Sequence, residues 1–271
     1  MDILTHAISG TAVAACVSTF LKRSSTSKKI KVLFIGTFGA VLPDIDAISM
    51  WSQFDSKIGA LFNLPYSGRE IYGMKLWYSH HAFFHSLLAS LFFGTLLLLF
   101  IYLIRKVVRK RMKNQSVFSF LQDYGIYFIF FVLGYWAHLA GDLPTPASVW
   151  GGIAFAWPSS VYWGGYGKIW WWNNYDVFLL ILLSVFLILL VPVLSKWIKK
   201  RKRTFSVSIL AITLMLITIQ INTREYNYAY TSDSSGYAQM EKNSKKEQER
   251  ILGKRLYRSM DWFDSKLKIY F

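Results

Sequence analysis

The chain has 271 residues, 54% hydrophobic and only 17% charged, a balance that excludes an ordinary soluble domain and points to an integral membrane protein. Its net charge of +16 comes largely in short basic runs flanking apolar segments. That is the pattern of membrane topology signals, and nucleic acid is not an expected partner. A single cysteine, Cys16, excludes an intrachain disulfide and a cysteine-based metal site.

Six segments approach the roughly 20 apolar residues that cross a bilayer. They run roughly over 7–21, 32–51, 86–104, 124–141, 177–195 and 205–221. The first is short and rich in alanine, glycine, serine and threonine, which suits close helix packing. The second ends at Pro43, so a kink or stop is expected near Leu42. Segments three and five are the most uniformly apolar. The sixth precedes a polar tail, and the fold class is an all-α polytopic membrane protein with five to six spans. Domain organisation reads as a membrane-embedded unit over 1–221 and a polar tail over 222–271. The Lys-Lys-Glu-Gln-Glu-Arg run of the tail reads as a solvated helix.

Basic residues orient the spans. Lys22, Arg23, Lys28, Lys29 and Lys31 follow segment one. Arg105, Lys106, Arg109, Lys110, Arg111 and Lys113 follow segment three, and Lys196, Lys199 to Arg203 follow segment five. The positive-inside rule assigns these loops to the cytoplasm. The N-terminus and the loops 43–85 and 142–176 then face outward, and localisation is a multi-pass cytoplasmic membrane protein. This topology brings the ionisable residues of the apolar parts to one face: His6, Asp44 and Asp46, the cluster His80, His81 and His85, then His138 and Asp142. Such groups are costly inside a membrane and mark functional sites.

Imidazole with carboxylate is a ligand set for Zn²⁺ or Mn²⁺. His138 and Asp142, at i and i+4, share one face of a helix and can chelate one ion or simply hydrogen-bond to each other. His81 and His85 have the same spacing, with His80 pointing elsewhere unless the stretch is a loop. After Pro43, Asp44 and Asp46 are expected on one face of an extended or turn segment. There either can bridge two ions, or one can orient a ligating histidine. Asp2 or Thr5 is placed to cap the first helix. Arg69 and Lys75 read as solvated loop residues, with a phosphate contact as the alternative. The stretch from Ala147 to Tyr175 holds six tryptophans, Trp150, Trp157, Trp163, Trp170, Trp171 and Trp172. It reads as an interfacial aromatic belt beside the site, or as a wall for a lipid.

Thr5-His6 with Gly10, Leu42-Pro43-Asp44-Ile45-Asp46, His80-x4-His85-Ser86 and Gly134-Tyr135-x2-His138-x3-Asp142-x2-Thr145-Pro146 occur in that order. As an ordered set over about residues 1–160, they resemble the YdjM/YvsG-type inner-membrane metal-dependent hydrolases. Members of that family often read His-Arg-Gly in the third motif. Here His81 stands where arginine is usual, and the resemblance favours His80 with His85. The family in turn resembles, distantly, the zinc-dependent phospholipase C and P1 nuclease group. The resemblance implies a metal site made of His6, Asp44, Asp46, His80, His85, His138 and Asp142. It carries a divalent cation, zinc first and manganese second, with Asp44 or Asp46 as proton acceptor. The expected function is hydrolysis of a phosphoester or lipid-type substrate at the outer membrane face, with membrane lipid as the partner. The alternatives are a non-enzymatic membrane scaffold and a metal-handling or transport protein.

Overall fold

The computed structural model describes residues 1–21, 25–108, 116–191, 200–229 and 236–267. Lys22, Arg23, Arg109, Lys110, Arg111, Lys113, Lys196 and Lys199, and the end of segment five, lie outside them. Eight helices organise the described chain: α1 Ile3–Ser18, α2 Thr26–Val41, α3 Gly68–Gly73, α4 Leu87–Val108, α5 Val117–Asp142, α6 Tyr175–Leu190, α7 Lys202–Asn222 and α8 Tyr237–Leu267. Among the described residues there is no strand, only the isolated bridges Pro146–Tyr166 and Ile153–Trp163 in the loop after α5. Four helical stretches are long and apolar enough to cross a membrane: Thr26–Met50, Leu87–Val107, Val117–Asp142 and Lys202–Asn222. α1 and α6 are shorter apolar helices. Each of the six apolar segments is thus helical over most of its described residues, and the fold is an all-α membrane protein.

The helix starts follow from their caps. Asp2 accepts the Thr5 amide at 2.9 Å and opens α1. Ser25 and Ser116 cap α2 and α5 in the same way. At Pro43 the chain does not extend. It tightens into a 3₁₀ stretch over Leu42–Met50, because proline's fixed φ and missing amide suit the first turn of a helix. This corrects the extended reading of Asp44-Ile-Asp46. With three residues per turn, the two carboxylates leave the backbone in different directions.

Small residues draw α1, α2 and α5 into backbone contact. A Cβ on Gly134 would collide with the Gly36 carbonyl, and one on Gly39 with the Phe131 carbonyl. Thr11 and Thr37 share a hydroxyl hydrogen bond of 2.6 Å between α1 and α2. Lipid is as apolar as leucine, so this close fit, rather than the hydrophobic effect, selects the helix neighbours. Leu99, Phe100 and Leu103 of α4 accordingly stay exposed on the outside of the bundle. The sequence HisLeuAlaGlyAsp at the end of α5 is then fixed against the start of α1 and the end of α2.

The C-terminal helix α8, which bends at Gly253, is not wholly solvated. Glu247 and Gln248, from its most charged stretch, are fully buried. Gln248 accepts the Asp176 amide at 3.0 Å and donates to Asp176 Oδ1 at 3.0 Å. Arg224 grips the same carboxylate at 2.8 and 2.9 Å and donates to Asn174 Oδ1 at 2.9 Å. The tail is therefore clamped to the start of α6 through one buried, fully paired charge.

Two outcomes follow for stability in detergent. Gly134→Leu overpacks a backbone contact and should destabilise the protein by about 3 kcal/mol. Arg224→Ala leaves Asp176 buried without its cation and should cost about 3–5 kcal/mol, with α8 becoming protease-sensitive at a lower temperature than the bundle. Thermal melting with limited proteolysis measures both.

Candidate metal centre

Four elements bring the sequence-selected residues to one end of the bundle. His6 is in the first turns of α1, Asp44 and Asp46 are in the 3₁₀ stretch, and His138 and Asp142 are in the last turns of α5. His80 and His81 lie in a turn, and His85 ends a short 3₁₀ segment, Phe83–His85, just before α4. Tyr135 of α5 donates its hydroxyl to the Phe84 carbonyl and pins that segment. His80 and His81 thus belong to a loop, and the helical i, i+4 reading of His81 with His85 does not hold.

Four donor atoms face one another. His85 Nε2 and His138 Nε2 are 3.2 Å apart. Asp44 Oδ1 lies 3.7 Å from each of them. Asp142 Oδ2 lies 2.9 Å from His138 Nε2 and 3.6 Å from His85 Nε2. Ligands about 2.1 Å from a tetrahedral ion are about 3.4 Å apart, and the separations given lie near that value. Asp44, His85 and His138 form one group of donors within 4.8 Å of one another, and Asp142 joins His138 and His6 in a second.

The tautomers agree with this reading. His138 Nδ1 is 2.8 Å from the Ala40 carbonyl, which only accepts, so Nδ1 carries the hydrogen and Nε2 presents a lone pair. That lone pair faces a carboxylate oxygen, a repulsive contact unless a proton or cation lies between. Asp142 Oδ2 has no hydrogen-bond partner although it is fully buried. With both imidazoles neutral, the two carboxylates carry two negative charges. The Met1 ammonium, 2.7 Å from Asp142 Oδ1, answers one of them and leaves the other for a cation at the donor cluster. The residues therefore fit a metal ion.

The remaining residues stand behind these four. His6 Nε2 lies 3.1 Å from Asp142 Oδ1, to which the Met1 amine also donates at 2.7 Å. The His6 ring stacks on His138 with centroids 3.7 Å apart. Both nitrogens of His6 are buried without a properly aligned hydrogen bond. Asp46 reaches two histidines, with Oδ1 2.6 Å from His80 Nδ1 and Oδ2 3.2 Å from His85 Nδ1. Burial alone lowers the pKa of His85, but Asp46, Asp44 and Asp142 outweigh it and raise it to about 10, so without a bound cation this ring holds a second proton, which a metal ion at Nε2 would displace. This corner of the protein favours positive charge. Burial, with His80 and His85 alongside, holds His81 well below the ordinary histidine range, so its imidazole is neutral.

Several contributors carried no motif. Tyr72 stacks on His80 at 4.5 Å, and Trp150 closes over both His80 and His81 at 5.0 and 4.5 Å while donating to the Tyr72 carbonyl at 2.9 Å. The tryptophan-rich loop is therefore divided. Trp150 roofs the histidines, Trp170 is buried against Tyr228 and Tyr237, and Trp163 is exposed. Arg69 and Lys75 are exposed, and Lys75 Nζ lies over the Tyr162 ring at 5.0 Å.

If these donors hold a divalent ion, a strong chelator should lower the melting temperature of the wild-type protein. The same chelator should leave the His138→Ala/Asp142→Ala double variant unmoved. A ratio [L]/Kd of 100 corresponds to about 2.7 kcal/mol of ligand stabilisation, a shift of a few degrees.

No curated protein and no solved structure matches the chain. A family model does: that of the YdjM inner membrane protein family matches residues 1–227. The match passes residue 160, the approximate end of the resemblance drawn from the motifs, and runs through α7 to the Arg224 clamp. It covers most of the chain, which therefore belongs to the YdjM inner membrane protein family.

Proposed function

We propose that this membrane protein is a metal-dependent hydrolase acting on a phosphoester or lipid-type substrate. The observation that carries the reading is the placing of donor atoms of Asp44, His85 and Asp142 within 3.7 Å of His138 Nε2, at spacings close to those of metal ligands. A divalent cation there, zinc first and manganese second, would supply Lewis acidity; with His85, His138 and Asp142 as its ligands and Asp44 left free, the fourth position would hold a water acidified to a pKa of about 7.

The chain's own groups divide the remaining work. Asp44 is the accessible carboxylate, its side chain 16% exposed against 0% for Asp46 and 2% for Asp142. It faces the approach to the site, and we assign it the proton acceptor. Asp46 is enclosed between His80 and His85, and its role is to fix their tautomers and ring angles, as carboxylates behind metal-bound histidines do. His6 braces Asp142 in the same manner. Ile45, Ile48 and Trp51, beside Asp44 in the 3₁₀ stretch and at its end, are exposed apolar residues. An amphiphile held in the bilayer therefore has direct access, which favours a lipid phosphoester over a small soluble one.

We place the site at the outer face, because the basic runs belong to the opposite loops. Trp163 is 51% exposed and the native Cys16 is buried, so Trp163→Cys gives a clean reporter. An impermeant thiol reagent should label it from outside in intact cells. Labelling only after the cytoplasm is opened reverses the orientation.

For the reaction, purified protein reloaded with zinc or manganese should hydrolyse a phospholipid or lipid phosphate in mixed micelles. Asp44→Asn and His138→Ala should each abolish turnover, while Asp46→Asn should weaken metal affinity by about 10–100-fold. Full metal occupancy with no turnover on any phosphoester or carboxylic-ester amphiphile would favour a metal-handling protein instead.

A further inference from the structure

The donors just described leave one metal-ligating cluster without a task. His80, His81 and His85 each place a nitrogen within 4.8 Å of the other two. Their rings are close: His80 to His81 is 4.2 Å, His81 to His85 4.7 Å and His80 to His85 5.0 Å. All three are buried.

His80 and His81 share a second property. Each spends Nδ1 on a partner that fixes the ring: Asp46 at 2.6 Å for His80, and the Gly152 carbonyl at 3.1 Å for His81. A carbonyl only accepts, so His81 carries its hydrogen on Nδ1 and keeps an Nε2 lone pair. The aspartate places His80 in the same state. Neither Nε2 has a hydrogen bond among the described residues.

The His81 backbone is held in the left-handed region at φ +62°. The Ala154 amide donates to the His81 carbonyl at 2.8 Å, so two contacts from the tryptophan-rich loop maintain the turn. Residues kept in that region away from glycine persist only where the surroundings determine them, and they gather at binding sites.

We propose that His80 and His81 hold a second divalent cation of the imidazole-binding class, beside the one held by His85, His138 and Asp142. The inference rests on that first site being a metal centre and extends it to a pair. His85 stands between the two sets, and a neutral imidazole gives its one free lone pair to one ion. Its Nε2 faces the first set, so the second ion has two protein ligands and completes its sphere with water or substrate oxygens. It is therefore the weaker and more exchangeable of the two, under the roof of Trp150 and Tyr72. Imidazole donors suit zinc, copper or nickel better than magnesium or calcium.

Cobalt(II), which reports its coordination by visible absorption, is the probe for the metal-stripped protein in detergent. The wild type should titrate in two steps, the second at least about ten-fold weaker. His81→Asn keeps a residue tolerant of positive φ but removes the nitrogen donor. His80→Gln leaves the His81 turn untouched. Each should show the first step alone, with unchanged helicity by circular dichroism. One step in the wild type, or two steps in both variants, overturns the second position and leaves the first standing. No step in the wild type overturns both.

Discussion

Everything at the functional end of this protein depends on charge balance among buried groups. Asp44 and Asp142 bring two negative charges to a point where His85 and His138 add only lone pairs. The Ala40 carbonyl takes the Nδ1 hydrogen of His138, so Nε2 faces a carboxylate, a contact that needs a proton or a cation between the two atoms. A metal ion beside His138 Nε2 would meet that need, and would give the orphaned oxygen of Asp142 its partner.

The bundle is built to keep those atoms in place. α1, α2 and α5 touch through glycines whose missing side chains let backbones meet, so the ends of the three helices move as one body. That rigidity matters because a metal site tolerates little error in donor positions. The loop contributions are fastened separately. Tyr135 holds the Phe84 carbonyl, Trp150 lies across His80 and His81, and Asp46 couples His80 to His85. At the far end of the loop, Asp176 is satisfied by Arg224 and Gln248, which ties α7 and α8 to the same frame.

How much of this could be read beforehand varies with the range of the interaction. The apolar runs, the Pro43 break and the His138–Asp142 spacing are local, and each is present in the structure. The gathering of His6, Asp44, Asp46, His85 and His138 at one end was accessible from alternation of basic and non-basic loops. The separate directions of Asp44 and Asp46 were not, because a proline permits either an extended start or a helical one, and tertiary packing chose 3₁₀. Tyr72 and Trp150 were indistinguishable from other interfacial aromatics, since only contact with His80 and His81 sets them apart. The burial of Glu247 and Gln248 was hidden for the same reason: in sequence they are two more polar residues in a charged run, and the partner of Gln248, Asp176, lies about seventy positions away.

X-ray absorption at the zinc edge, on protein loaded with one equivalent of zinc, tests the central claim most directly. The account predicts a four-coordinate ion with two imidazoles and oxygen donors at about 2.0–2.1 Å, and no sulfur. A protein that binds no zinc, or holds it with sulfur or with water alone, would contradict it.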